Sequence, residues 1–479
     1  MDSDNAPFDQ ARHLRYWQRC MRTLLPQQYT ATDSTRMMLG CFCIAATDVL
    51  ARNGDQSVIN AHDRRAFRAW VLACQHPGGG FVGGPTHTYP RAVYAGFDFS
   101  KGLPEIGLPG EANIAATLFA LQLLALLAAS DEENGGRNEK HGEGAYLGVH
   151  RNQTLQWLQQ LQRPDGSFGE FLAYVPDVRA AGGRRKVVGG GADMRYCYIA
   201  AMIRWILGGG GCTDVIDIDV SALVRRIRLG QTYDGGFAES STHESHAGYA
   251  FCAIAALDLL GRSAEFDKST TLSSLDIFAH GIADIPALLR WLAARTFCFN
   301  PECEEDNDSE WQESMVAEIT PTETCGNKPL FACNGRCNKH ADSCYTWWTL
   351  ATLSILEHHG YGLKGGSEMS KEDWLAKRRF LLKKMQHEIG GFSKVPGGPP
   401  DIYHSYLSIA ALASQNEDML KAFDPAMCVS QDTVRTIETA RLGLSRGLGE
   451  AGERRRADLL SLGTACWGRG KPPRRQVAL

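Results

Sequence analysis

The sequence predicts an all-α fold assembled from stacked helical hairpins. Three observations carry that prediction. One unit recurs along the chain: an apolar helix that ends near Gln, a turn built on Gly and Phe, then a second helix rich in Ala, Leu and Ile. Alternation of apolar and polar residues with a period of two is nearly absent. The 479 residues exceed the roughly 250–300 at which a single core stops growing, unless repeated units share one continuous core.

The elements follow in chain order. WVLACQHPGGGFV (70–82) precedes a partner helix at 112–128, and WLQQLQRPDGSFG (157–169) precedes one at 193–207. IRLGQTYDGGFA (227–238) leads to 246–260, a degenerate copy around Trp291 and Asn334-Gly335 leads to 342–357, and FLLKKMQHEIGGFS (380–393) leads to 401–413. In each turn the glycines supply backbone angles that other residues resist, and the Phe packs back onto the helix pair. Spacing alone leaves both an open solenoid and a closed ring of such pairs.

Two segments break the pattern. Residues 298–330 are acidic without a helical stripe, which predicts an inserted loop. The chain beyond 440 carries Arg454-Arg455-Arg456 and a Lys471-PPRR run, which predicts a basic, poorly ordered tail at 441–479 after a helical domain at 1–440.

Hydrophobic residues at 44% and charged residues at 22% describe a folded chain, and a net charge of −4 gives no footprint for nucleic acid or anionic membrane. The longest apolar stretch, 114–129, is shorter than a bilayer span and is broken by Thr117 and Gln122, so no stable membrane insertion is expected. The start MDSDNAPFDQ is acidic where a secretory signal would be basic, so a cytoplasmic location is expected. Fifteen cysteines fit buried thiols and a metal site better than a disulfide framework.

Reactive groups concentrate in NGRCNKHADSCYTWWT (334–349), where earlier copies place a Gly turn and a helix start. Asp342 and Cys344, one residue apart at a helix entry, can converge on one cation, and His404 opens the partner helix of the next unit. One carboxylate, one thiolate and one imidazole leave a fourth position open, the pattern of a catalytic zinc. Cys303, Cys325, Cys333 and Cys337 form a rival set for a structural zinc. Arg336 and Lys339 beside the triad, with Tyr345 and with His246 at the start of the neighbouring partner helix, compose an anion clamp suited to a phosphate or diphosphate.

These residues are recognisable. GRCNKHADSCYTWW (335–348), ESHAGYAFC (244–252), DMRYCY (193–198) and GGFSKVPGGPPDIYH (390–404) occur in the order found in β subunits of protein prenyltransferases. The chain resembles those of type I geranylgeranyltransferases most, from RHLRYWQRC (12–20) to about Leu412. The resemblance implies an α/α barrel, a toroid of helical hairpins around an apolar cavity, paired with a separate α subunit. It implies one zinc on Asp342, Cys344 and His404, and diphosphate contacts from His246, Arg336, Lys339 and Tyr345. Lipid-cavity positions would be Arg195, Tyr198, Tyr249, Cys252 and Trp348. The implied reaction transfers geranylgeranyl from geranylgeranyl diphosphate to the cysteine of a C-terminal CaaX motif, X often being Leu, on proteins such as Rho-type small GTPases.

Several positions depart from that pattern or qualify it. Met38 stands where the type I proteins have a small residue and farnesyltransferases a Trp. Asn113 and Tyr403 replace a His and a Leu near the acceptor's last residue, and Tyr403 is the farnesyltransferase choice. Lys394 matches the type I proteins, whereas farnesyltransferases carry an Asp that helps hold Mg²⁺; a fixed ammonium there implies that no Mg²⁺ is required. The alternatives are a farnesyltransferase β subunit and a non-catalytic α-solenoid scaffold. A triterpene cyclase is disfavoured because Asp217-Ile218-Asp219-Val220 does not complete an Asp-x-Asp-Asp donor.

Overall fold

The computed structural model describes residues 7–51, 59–86, 110–128, 144–176, 184–212, 214–264, 274–299, 328–362 and 371–446. Helices pair in sequence: α1 (Gln10–Arg22) with α2 (Arg36–Leu50), α3 (Ala61–Ala73) with α4 (Ile114–Leu126), and α5 (Arg151–Gln160) with α6 (Met194–Ile206). Next come α7 (Val220–Arg228) with α8 (Ala247–Ala264), the accessory α9 (Ser274–Gly281), α10 (Ile285–Ala293) with α11 (Ser343–His358), and α12 (Lys371–Phe380) with α13 (Ile402–Ser414). The second member of each pair packs on the second member of the next, and α13 returns to α2, so the ring closes. Composition explains the layering. α7 (VSALVRRIR) has one apolar stripe and sits outside, whereas α4 (IAATLFALQLLAL) is apolar on every face and sits between the outer layer and the lumen.

The turns join neighbouring units. Gln75, Gln162, Gln231 and Gln386 bridge to Phe81, Phe168, Phe237 and Phe392, and all four rings are fully buried. A glycine of positive φ in each turn lies against the next outer helix: Gly79 on Gln153, Gly166 on Ala222, Gly235 on Ala287. Gly390 of the last turn lies on Arg12 of α1, which closes the outer layer as well. In the fifth unit Asn334 N–H donates to Arg295 O just as Ala238 N–H donates to Gly230 O, so the acidic insertion opens a turn that keeps its closing hydrogen bond. Of the insertion, residues 300–327 lie outside the described residues, as do Cys303 and Cys325; Cys333 is buried and Cys337 exposed.

Among the described residues strands do occur, as three antiparallel hairpins: β1 (Phe171–Pro176) with β2 (Arg184–Gly189), β3 (Thr296–Cys298) with β4 (Phe331–Cys333), and β5 (Phe423–Asp424) with β6 (Val429–Ser430). Each is too short for a period of two to register in sequence. The β5–β6 turn plugs one end of the ring, where Ala426 O, Met427 O and Cys428 O accept from Tyr198 Oη, Gln122 Nε2 and Tyr406 Oη at 2.7, 2.9 and 2.6 Å. A last helix, α14 (Gln431–Arg446), packs against α4 and α6. It runs through the expected boundary at 440/441, because its buried Ile437 and Ala440 dock it on the barrel; residues 447–479 lie outside the described residues. Among the described residues no helix is long and apolar enough to cross a membrane.

Candidate metal centre and anion clamp

The N-termini of the inner helices share one rim, opposite the plug. The first N–H of α4, α8 and α11 donates to Glu170 O, Gly335 O and Lys394 O, the same position in each following turn, so these helices run parallel and in register. Their capping residues therefore gather at the lumen mouth: Asn113 on α4, Asp193 on α6, Asp342 on α11 and Asp401 on α13. On α8 the role falls to His246, whose Nδ1 accepts from Gly248 N–H at 3.0 Å. Capping demands a short polar side chain at this spot, and the positive helix ends that converge there favour anions.

The predicted triad converges at this rim. One ligand atom from each of Asp342, Cys344 and His404 lies within 4.8 Å of the others, and His404 Nε2 is 3.3 Å from Asp342 Oδ1. Asp401, which sequence reasoning did not single out, holds His404 Nδ1 at 2.6 Å and so points Nε2 at the triad. An Asp directly before IYH was the available signal, since it also marks a helix start. Burial alone would push the Asp342 carboxyl up and the His404 imidazole down. Their mutual contact reverses both, aided for Asp342 by hydrogen bonding with Cys344 and for His404 by Asp401, so Asp342 falls below the usual range and His404 rises to about 9. Burial and then the Asp342 charge push the Cys344 thiol far up. Mixed O, S and N donors that are mostly buried, mutually close and braced by a carboxylate behind the imidazole fit a zinc ion with one position left for an exogenous ligand.

Beside the triad, His246 Nε2 meets Tyr345 Oη at 3.1 Å. Because Nδ1 accepts from Gly248, Nε2 carries the proton and donates. Burial first, then the charges of Arg336 and Arg195, lower the His246 pKa, and burial raises the Tyr345 hydroxyl to about 12, so both remain neutral donors near pH 7. Gly335 is required here: a Cβ would lie 2.1 Å from the Tyr345 ring. Arg336 pairs with Glu244 at 2.8 Å, another partner missed in the sequence. Lys339 stands exposed on a loop braced by Asn334 Nδ2 at its carbonyl, and Lys394 stands exposed with its own carbonyl bound to Ser343 N–H.

The remaining predicted residues all lie on the inner helices or at their starts. Arg195 stays at the mouth, its guanidinium gripping Asp193 at 2.6–3.0 Å. Asn113 Nδ2 donates to Glu170 at 2.6 Å, and Tyr196 Oη reaches the same carboxylate at 3.1 Å, a cluster the sequence did not reveal. Trp348 packs on Phe251 at 5.0 Å, Phe251 on Tyr198 at 5.3 Å, and Tyr403 on Phe42 at 6.2 Å. Cys252 is buried; Met38 and Tyr249 are half-buried.

Residues 8–429 match the family described as Prenyltransferase alpha-alpha toroid domain. The chain is 27% identical to the geranylgeranyl transferase type-1 subunit beta of Arabidopsis thaliana, over 89% of this chain and 90% of that one. It is 25% identical to the Dictyostelium discoideum subunit of the same description, over 87% and 94%. A protein farnesyltransferase subunit beta of Pyricularia oryzae is likewise 25% identical, over 88% of this chain and 67% of that one. The fold matches Candida albicans protein geranylgeranyltransferase-I complexed with GGPP, with a TM-score of 0.63 at 21% identity over 90% and 98% of the two chains.

Proposed function

The chain belongs to the prenyltransferase α/α-toroid family, and from that premise we propose that it is the catalytic β subunit of a cytoplasmic protein geranylgeranyltransferase type I. The observation that carries this reading is the meeting of the Asp342, Cys344 and His404 donors with the His246 and Tyr345 pair on one rim of an aromatic-lined lumen. The partners are a prenyltransferase α subunit, geranylgeranyl diphosphate and CaaX proteins such as Rho-type small GTPases. Asp342, Cys344 and His404 would hold one zinc ion, which when bound supplies the Lewis acid that keeps an acceptor thiol ionised at neutral pH.

The chain's own groups do the rest. Tyr198, Tyr249, Cys252 and Trp348 take the isoprenoid chain and exclude water, with Met38 bounding the lumen beside them. The acceptor sulfur forms a bond to C1 of the donor as the C1–O bond breaks, and the diphosphate leaves with the electron pair. His246 and Tyr345 donate hydrogen bonds to that leaving group, while Arg336, Lys339 and Lys394 supply fixed positive charge, so their effect is greatest as negative charge develops. Asn113 and Tyr403 lie on the acceptor's side, with Arg195 at the mouth.

A farnesyltransferase is the second reading, favoured by Tyr403. The α/β complex incubated with farnesyl and geranylgeranyl diphosphates, and with peptides ending in Leu or Met, decides between them. The expected result is transfer of the 20-carbon group to the Leu peptide, insensitive to added or chelated Mg²⁺ when zinc is present, with Lys394→Asp slower and Mg²⁺-dependent. Preference for the 15-carbon donor with a millimolar Mg²⁺ requirement would assign the second reading.

A further inference from the structure

The loop that carries Arg336 and Lys339 is tied down at a sulfur atom. Arg295, just after α10, is 3% exposed and holds this loop at two points: its carbonyl accepts Asn334 N–H at 3.0 Å, and its Nη2 donates to Cys337 Sγ at 3.2 Å. The guanidinium is itself fixed by Trp291, whose ring centroid lies 4.7 Å away and whose carbonyl accepts from Nε at 3.4 Å. Cys337 therefore stands exposed between two clamp residues with a buried cation on its sulfur. Among the described residues Cys298 and Cys337 are the exposed thiols, and Cys337 is the one that a guanidinium meets.

The closed loop leaves two buried atoms without a hydrogen-bond partner among the described residues. They are Arg295 Nη1 and Asn334 Oδ1, the latter on a side chain 9% exposed whose Nδ2 already donates to Lys339 O at 3.1 Å. A buried donor or acceptor left unpaired is destabilising, more so when it belongs to a charged group. Opening the contact at sulfur would therefore release one cationic donor and one amide acceptor. A carboxylate and a peptide N–H are the groups that match them.

We propose that Cys337 is a modification site for an anionic peptide disulfide, and that the mixed disulfide shuts the anion clamp to diphosphate. The Cys337 thiol gives its proton to solvent, and its sulfur forms a new S–S bond as the reagent's own S–S bond breaks. The departing half leaves with the electron pair as a thiolate and takes up a proton; the Cys337 sulfur is oxidised and the departing sulfur reduced. The adduct takes the sulfur from Arg295 and sets carboxylates beside Arg295, Arg336 and Lys339, where they occupy the donors and repel a second anion. The effect on diphosphate rests on the clamp described under the proposed function; the thiol site does not.

The test treats the zinc-loaded α/β complex with glutathione disulfide as the anionic probe and with bis(2-hydroxyethyl) disulfide as a neutral one. Peptide mapping by mass spectrometry is expected to show the glutathione adduct forming on Cys337 at least tenfold faster than on Cys298, at a rate that falls as salt is raised. The neutral disulfide should show neither that preference nor that salt dependence. Geranylgeranyl diphosphate should protect Cys337, whereas geranylgeraniol should not. The modified complex should bind geranylgeranyl diphosphate at least tenfold more weakly with its zinc content unchanged, and dithiothreitol should restore binding. Cys337→Ser keeps an acceptor for Arg295 and, compared with itself before and after treatment, should show no change in affinity. No reaction at Cys337 in the complex, or equal reaction at Cys298, overturns the site. Equal preference and salt dependence with the neutral disulfide overturns the anionic class. A loss of affinity that persists in Cys337→Ser or follows zinc release overturns the link to the clamp, as does an adduct on Cys337 that leaves affinity unchanged. A complex that fails to bind the donor before any treatment, with the adduct still mapped to Cys337, would instead count against the function proposed above.

Discussion

Asp401 serves two ends of one residue's geometry: Oδ1 accepts the His404 backbone N–H at 2.9 Å and caps α13, while Oδ2 holds His404 Nδ1 at 2.6 Å. Asn in its place keeps the capping oxygen but presents an N–H to Nδ1, which forces the proton onto Nε2, the atom a metal needs free. Asp401→Asn is therefore expected to weaken zinc affinity about 10- to 100-fold with little loss of thermal stability. Zinc titration beside a melting curve checks it, and unchanged affinity would remove Asp401 from the positioning role. Cys344→Ala removes one of three donors outright. It should abolish stoichiometric zinc and acceptor turnover while donor binding persists, since His246, Tyr345 and Arg336 remain; full zinc occupancy by elemental analysis would refute the triad.

At the scale of elements, the turn glycines carry the contacts between units. Gly166 has a φ of +85°, and a Cβ there would come within 2.2 Å of Ala222 O, backbone that cannot step aside. Gly360 has a φ of +80° with nothing within 4 Å. The pair separates the two contributions: Gly360→Ala should cost about 1 kcal/mol of unfolding free energy for the left-handed backbone alone, and Gly166→Ala about 2–4 kcal/mol with the collision added. Denaturant midpoints of the two variants measure the difference, and equal shifts would show that the contact between units contributes nothing. The Gln, Gly and Phe of these turns were legible because four of the units use the same small set of residues to turn and re-bury a Phe. The β1–β2 hairpin was not, since six residues per strand seated beside Glu170 carry too little alternation to stand out.

The molecule as a whole is held shut by contacts between its first and last units. His13 of α1 is 0% exposed and stacks between Phe8 and Phe392, with both ring centroids at 4.9 Å. Its Nδ1 accepts Gly391 N–H and its Nε2 donates to Gln386, each at 3.0 Å, so the imidazole is neutral. Burial lowers its pKa from 6.5 to about 4, outweighing the hydrogen bond to Gln386. The unfolded chain thus binds this proton below pH 6.5 while the folded one resists it until about pH 4. The stability associated with neutral His13 is complete above pH 6.5 and is lost as pH falls through that window, by up to about 3 kcal/mol. Unfolding free energies across pH 7 to 4.5, with the His13 imidazole followed by NMR, test this; a titration near 6.5 in the folded protein would sink it.

By itself the sequence determined the helical hairpin, its repetition and the residues at each inner-helix start, because these depend on local rules: periodicity, turn chemistry and capping. It also brought Asp342, Cys344 and His404 forward, since metal-binding side chains at equivalent positions of successive units have few other ways to meet. Closure of the ring was a matter for tertiary structure, decided where Gly390 lies on Arg12 and His13 joins the last turn. So was the plug, whose segment has no repeat of its own and is held by Tyr198, Gln122 and Tyr406 from three inner helices. The partners Glu244 and Glu170 act through contacts made only once the units stack, whereas Asp401 acts within the start of its own helix. A chain of similar hairpins is compatible with both a solenoid and a ring; the choice lies in contacts between residues hundreds of positions apart, which no local pattern encodes.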